Sequence, residues 1–204
     1  MTHIYLIRHD ANIDGLINGK TGDLGLSPEG ITQAEQLRDR LSSSQEVKPD
    51  VFIVSPERRA HETAKILQSA LGRPIVLDND VVEWKSDDGS LTEEEFTRRW
   101  KEVPKSQKPY YRWIEGLENR MEFSLRVHLT LNRLIQQYPR KTIVILTHGA
   151  FIQLSFKYFF GFGESALDRA MPEIHRTSIT HWYQNEGEDR WNLERSNDCH
   201  HLSP

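Results

Sequence analysis

The chain has 204 residues, enough for one domain with a full hydrophobic core and short for two. A formal net charge of -4 argues against a broad basic surface for nucleic acid or anionic lipid, while leaving room for a local basic pocket around an anionic small molecule. The single cysteine, Cys199, excludes an intrachain disulfide and a cysteine-built zinc cage, and no stretch approaches the roughly 18 apolar residues of a membrane span, so a cytoplasmic setting is expected.

The first segment, His3-Ile4-Tyr5-Leu6-Ile7, is short, apolar and twice β-branched, the character of a buried strand. Arg8-His9 follows it directly, then Asp10-Ala11-Asn12 and a glycine-rich loop through Gly15, Gly19, Gly22 and Gly25. Ser27-Pro28-Glu29 opens a helix with Ile31, Ala34, Leu37 and Leu41 on one face; Ser suits the N-cap, Pro the first turn and Glu the dipole. Val51-Phe52-Ile53-Val54 repeats the strand pattern, and Ser55-Pro56-Glu57 opens a second helix by the same capping logic, with Ala60, Ala64, Leu67 and Leu71 facing inward.

Residues 85–113 differ from the rest: Phe96, Trp100, Tyr110, Tyr111 and Trp113 stand among many charges. Residues 85–115 read either as an inserted lid, in which Arg98, Arg99, Lys101 and Arg112 help to recognise a substrate, or as a helical connection with its aromatics on the core. A long helix is expected over residues 121–138, a strand over Thr142-Ile143-Val144-Ile145-Leu146, and a helix over residues 151–160. The alternation of residues 178–183, the turn at Asn185-Glu186-Gly187-Glu188-Asp189 and Trp191-Asn192-Leu193 predict a terminal hairpin. The whole is an α/β chain, expected as a three-layer α/β/α sandwich: a mostly parallel sheet with helices on both faces and a terminal antiparallel hairpin, one domain over residues 1–204. An exposed sheet edge would let two copies pair as a homodimer.

Three strand ends thus deliver Arg8, His9, Arg59 and His148 to what would be one edge of one sheet, where open α/β sheets place their ligands. Singly, each histidine or arginine reads as a structural or solvated residue; together they suit a phosphoryl group. Guanidinium forks match its oxygens, helix amides favour its charge, and no metal or cofactor is needed. A free imidazole nitrogen aimed at phosphorus would act as nucleophile, and the second histidine would stabilise oxygen charge. His61-Glu62-Thr63-Ala64-Lys65 lacks the second histidine of a zinc motif, and Cys199, His200 and His201 read as a surface tail or a packed terminal segment.

These motifs resemble the histidine phosphatase superfamily, the phosphoglycerate mutase-like family, nearly end to end. The resemblance lies in Leu6-Ile7-Arg8-His9, in Leu26-Ser27-Pro28-Glu29-Gly30 with Gln33-Ala34, in the run Ser55 to Ala64, and in Thr147-His148-Gly149-Ala150-Phe151-Ile152. It implies that His9 is the phosphorylated nucleophile, that Arg8, Arg59 and His148 surround the phosphoryl group, and that Asn12, Thr21, Gly22 and Gly149 contribute to its pocket. Glu83, in Val81-Val82-Glu83-Trp84, best matches the family's proton donor, with Asp80 in reserve; apolar neighbours would raise the pKa of Glu83 towards neutrality.

The implied activity is that of a metal-independent phosphomonoesterase of the histidine acid phosphatase type, acting on a phosphorylated small molecule. Phosphoglycerate mutase-type transfer is the alternative, and a compact chain favours the phosphatase. One position departs from the family: Asp10 stands where glycine usually follows the nucleophile. Its carboxylate either turns away into its own loop, tunes activity, or leaves a weakly catalytic phospholigand-binding protein.

Overall fold

Near-continuous apolar runs become the middle of a six-stranded sheet in the computed structural model, which describes residues 1–17, 20–161 and 170–202, without the side chains of residues 17, 21 and 93. Its strands β1 (Thr2–Arg8), β4 (Val51–Val54), β5 (Ile75–Leu77), β6 (Thr142–Thr147), β7 (Ile179–Gln184) and β8 (Trp191–Asp198) lie in the order β5-β4-β6-β1-β7-β8. The first four strands in that order run parallel, and β7 and β8 add the antiparallel hairpin at one edge.

The side-chain period of two divides each strand between two cores. Ile4 and Leu6 of β1, with Ile143 and Ile145 of β6 and Ile53 of β4, face Phe123, Val127, Leu131 and Leu134 of α4 (Arg120–Gln137) and Phe151 and Ile152 of α5 (Gly149–Phe160). Tyr5, Ile7, Phe52, Val54, Val144 and Leu146 face the other way, onto Leu37 and Leu41 of α1 (Pro28–Ser44) and Ala60, Ala64, Leu67 and Leu71 of α2 (Arg58–Leu71). Most of these side chains are fully buried, the larger aliphatic and aromatic ones each contributing about 2 kcal/mol by removal from water. The expected three-layer sandwich follows from this two-sided burial.

Helix α1 starts as the sequence predicts, Ser27 Oγ accepting the Gly30 amide at 3.0 Å. Helix α2 does not: it begins at Arg58 with Glu57 as an N-cap that makes no side-chain capping bond, so the expected capping role of Ser55 is corrected. The Ser55 hydroxyl instead accepts the Glu57 amide at 3.3 Å and turns to His148.

The glycine-rich stretch holds a separate antiparallel pair, β2 (Asn12–Ile17) and β3 (Lys20–Leu26), where a loop was expected. Residues 85–115 contain a helix, α3 (Glu93–Glu102), and a 3-10 turn, Lys108–Tyr110. The aromatics there pack on one another: Phe96 stacks on Trp113 with centroids 3.8 Å apart, and Trp100 and Tyr111 lie 5.4 and 5.0 Å from the same ring. An ion pair between Lys20 and Asp88 joins this segment to β3.

Candidate active site

Parallel register aligns the carboxyl ends of β1, β6 and β4. Arg8 pairs with Thr147, and Leu146 with Val54. The ladder continues one residue further: the His9 amide donates to Thr147 O at 2.9 Å, and the Ser55 amide to Leu146 O at 3.0 Å. His9, His148 and Ser55 therefore leave the sheet together, and the first turn of α2 brings Arg59 across them.

His9 and His148 are almost completely buried, their rings 4.8 Å apart between centroids. His9 Nδ1 donates to its neighbour's carbonyl, Asp10 O, at 2.7 Å; that bond fixes the tautomer and leaves Nε2 with its lone pair. Arg59 Nε donates to this Nε2 at 3.1 Å, while Arg59 Nη2 lies 3.1 Å from His148 Nδ1. His148 Nε2 is 2.8 Å from Ser55 Oγ, consistent with a proton on Nε2 and a lone pair on Nδ1. Burial, then the Arg59 charge, lowers the His9 pKa to about 3. Burial, then the neighbouring His9, holds His148 well below its usual value. Both rings are neutral at pH 7.

Arg8 reaches the same space from the end of β1. Its Nη1 donates to Ile174 O at 2.5 Å, and its Nε is buried with no hydrogen-bond partner among the described residues. Gly149, the first residue of α5, passes close to it: a Cβ there would stand 3.3 Å from Arg8 Nε. Glu83 completes the group. Its Oε1 accepts the Trp84 amide at 3.0 Å and its Oε2 the Ala150 amide at 3.3 Å, while burial pushes its carboxyl pKa up despite those amides.

Of the residues singled out in the sequence, Arg8, His9, Arg59, His148, Gly149 and Glu83 are thus brought together. Asn12 lies on β2, its Nδ2 donating to Asp14 Oδ1 at 2.7 Å, and Gly22 lies on β3 opposite Gly15. The Thr21 side chain and Gly19 lie outside the described residues. Asp80 is exposed and turned to Arg133 at 3.2 Å, away from the histidines.

Two carboxylates at the centre escaped the sequence reading. Asp23 Oδ2 accepts from the Arg59 amide at 2.9 Å and from its Nη1 at 3.1 Å, and Glu57 pairs with Arg59 Nη2. Asp23 is a lone acid among glycines, 36 residues from Arg59, and only the fold of the β2–β3 pair joins them.

Asp10 is completely buried and turns into its own loop: Oδ1 accepts the Ala11 amide at 2.5 Å, and its own amide donates to Thr63 Oγ1 at 3.3 Å. The second oxygen, Oδ2, has no hydrogen-bond partner among the described residues, and burial raises the carboxyl pKa to about 7. Among the described residues, no group of three or more His, Cys, Asp or Glu side chains is arranged to hold a metal ion, and no helix is long and apolar enough to cross a membrane.

Residues 4–199 match the sequence profile of the histidine phosphatase superfamily (branch 1). The chain belongs to that superfamily. Among its relatives, the uncharacterized phosphatase PhoE of Bacillus subtilis (strain 168) is 28% identical over 100% of this chain and 98% of that protein. The 5''-phosphoribostamycin phosphatase of Niallia circulans is 28% identical over 98% of this chain and 97% of its own. YhfR of Bacillus stearothermophilus shares the fold with a TM-score of 0.79 at 21% identity, each chain covered over 100% of its length. Both curated relatives are phosphatases, so membership of the histidine phosphatase superfamily supports hydrolase activity for this chain.

Proposed function

We propose that the protein is a metal-independent phosphomonoesterase that works through a phosphohistidine on His9. The observation that carries this reading is the state of His9 Nε2: a neutral nitrogen beside His148 whose lone pair accepts, among the described residues, only from the fork of Arg59, at 3.1 Å, the opposite nitrogen being tied to Asp10 O. A phosphoryl group whose oxygens take over that Arg59 donor, and the unsatisfied Nε of Arg8, would free the lone pair for attack on phosphorus.

In the first step the Nε2 lone pair forms the N–P bond as the bond from phosphorus to the ester oxygen breaks, and that oxygen takes the proton of Glu83. Burial favours the protonated carboxyl that this role needs. In the second step Glu83 takes a proton from water as the water oxygen bonds to phosphorus, and the N–P pair returns to Nε2. Arg8, Arg59, His148 and the amino end of α5 stabilise the oxygens in both transfers. The substrate class is a phosphorylated small molecule, over which residues 85–115 would form a lid.

The test is hydrolysis of an aryl phosphate in the presence of a chelator, with His9→Ala beside the wild type. Wild-type turnover and a base-stable, acid-labile phosphoenzyme, both lost in the variant, are expected. Turnover that survives His9→Ala would refute the mechanism.

A further inference from the structure

The guanidinium of Arg8 is aimed by a turn that the proposed chemistry does not use. Residues 174–178 precede β7 and are bound to Arg8 three times: Nη1 donates to Ile174 O at 2.5 Å, the Thr177 amide to Arg8 O at 3.1 Å, and the Arg8 amide to Ser178 O at 3.3 Å. The Ser178 amide closes the turn onto His175 O at 3.2 Å. Inside it Thr177, fully buried, has a φ of 53°. The left-handed region is a conformation that β-branched residues rarely adopt, and it persists only where the surroundings enforce it.

What enforces it is the end of the chain. Thr177 Oγ1 donates to Arg176 O at 2.8 Å, so its contact with His201 Nε2, also 2.8 Å, is donated by the imidazole. One residue back along the turn from Arg176, the His175 amide donates to Asn197 Oδ1 at 2.5 Å. The C-terminal residues are themselves held fast, Asp198 binding Arg40 through 2.6 and 2.9 Å contacts and Arg195 at 3.0 Å, with Arg40 anchored in α1.

We infer that Thr177 and His201 form a clasp that positions Arg8, holding the Ile174 carbonyl where it fixes one arm of the guanidinium and leaves Nε turned to the phosphoryl pocket. Neither residue touches the pocket itself; both are positioning residues acting through Arg8. The inference rests on the reading of Arg8 as a phosphate ligand. It makes the C-terminal 3-10 turn, His200–Leu202, part of the binding machinery.

Affinity for inorganic phosphate, measured calorimetrically on the whole chain, tests it without requiring turnover. His201→Ala should weaken phosphate binding on the order of tenfold, a typical coupling between residues in one network. His201→Gln, whose side-chain amide also donates towards Thr177 Oγ1, should recover most of the loss. In an Arg8→Ala background, itself weakened, His201→Ala should cost nothing further. If His201→Ala does not fold, Thr177→Val breaks the same hydrogen bond at equal side-chain shape and should give the same result. A folded His201→Ala with wild-type phosphate affinity overturns the clasp, as does an equal loss with and without Arg8. Wild-type affinity in Arg8→Ala overturns the pocket reading instead, and the clasp with it.

Discussion

Asp10 occupies a position beside the nucleophile where a carboxylate would repel phosphate, and its geometry separates its two oxygens. One is satisfied by the Ala11 amide; the other is buried without a partner. Burial raises its pKa from 3.8 to about 7, so the fold prefers the protonated acid. Its contribution to stability is fully present below pH 3.8 and is lost as pH rises to 7, at about 1.4 kcal/mol per unit in between. Asp10→Asn keeps the acceptor for Ala11 and cannot ionise. Its melting temperature should therefore exceed that of the wild type by more at pH 8 than at pH 5, and its phosphatase activity should hold up better above neutrality. Thermal scans at the two pH values decide this: an equal gap at both would mean that Asp10 does not titrate in that range.

At the level of elements, α1 touches the site through its first turn. The Ser27 amide donates to Ala11 O at 2.9 Å, and a Cβ on Gly30 would fall 2.1 Å from that same oxygen. Glycine inside a helix costs up to about 1 kcal/mol relative to alanine, and here it allows the helix to press against the strand exit that carries His9 and Asp10. Gly30→Ala should lower stability by about 1–3 kcal/mol through overpacking. It should also depress turnover further than Ser27→Ala, which removes only a cap worth about 1 kcal/mol. Urea unfolding and aryl phosphate hydrolysis on both variants provide the check; equal turnover in the two would separate α1 from the site. The presence of this helix was legible in the sequence, because capping residues and a 3.6-residue apolar repeat act locally. So were β1, β4 and β6, buried on both faces and therefore apolar at nearly every position. The pair β2–β3 was not, since its glycines and its exposed Ile13, Leu16 and Leu24 carry no strand signature. With that pair unseen, Asp23 could not be placed on Arg59, and Ser55 read as a helix cap because its true partner, His148, lies 93 residues away.

Across the whole molecule, the buried ionisable groups pull stability in opposite directions with pH. His9 is lowered to about 3 and His181 to about 4, chiefly by burial, and His148 lies well below its usual 6.5. For each, the neutral ring is the one the fold accommodates, so its contribution is complete above pH 6.5 and is lost as pH falls, at about 1.4 kcal/mol per unit. His201, lowered to about 4 by burial, acts with them, while Asp10 and Glu83, both raised by burial, gain stability as pH falls and oppose them. The urea midpoint should therefore be nearly level from pH 8 to 7 and fall from pH 6.5 to 5. Inorganic phosphate, binding the folded chain between Arg8, Arg59 and the two histidines, should offset part of the fall, because a ligand of the native state alone raises stability with its concentration. In His9→Asn the acid limb should be shallower, one buried titrating ring having been removed. An acid limb no shallower in His9→Asn than in the wild type would show that His9 titrates alike in the folded and unfolded chain, against the burial of a neutral ring.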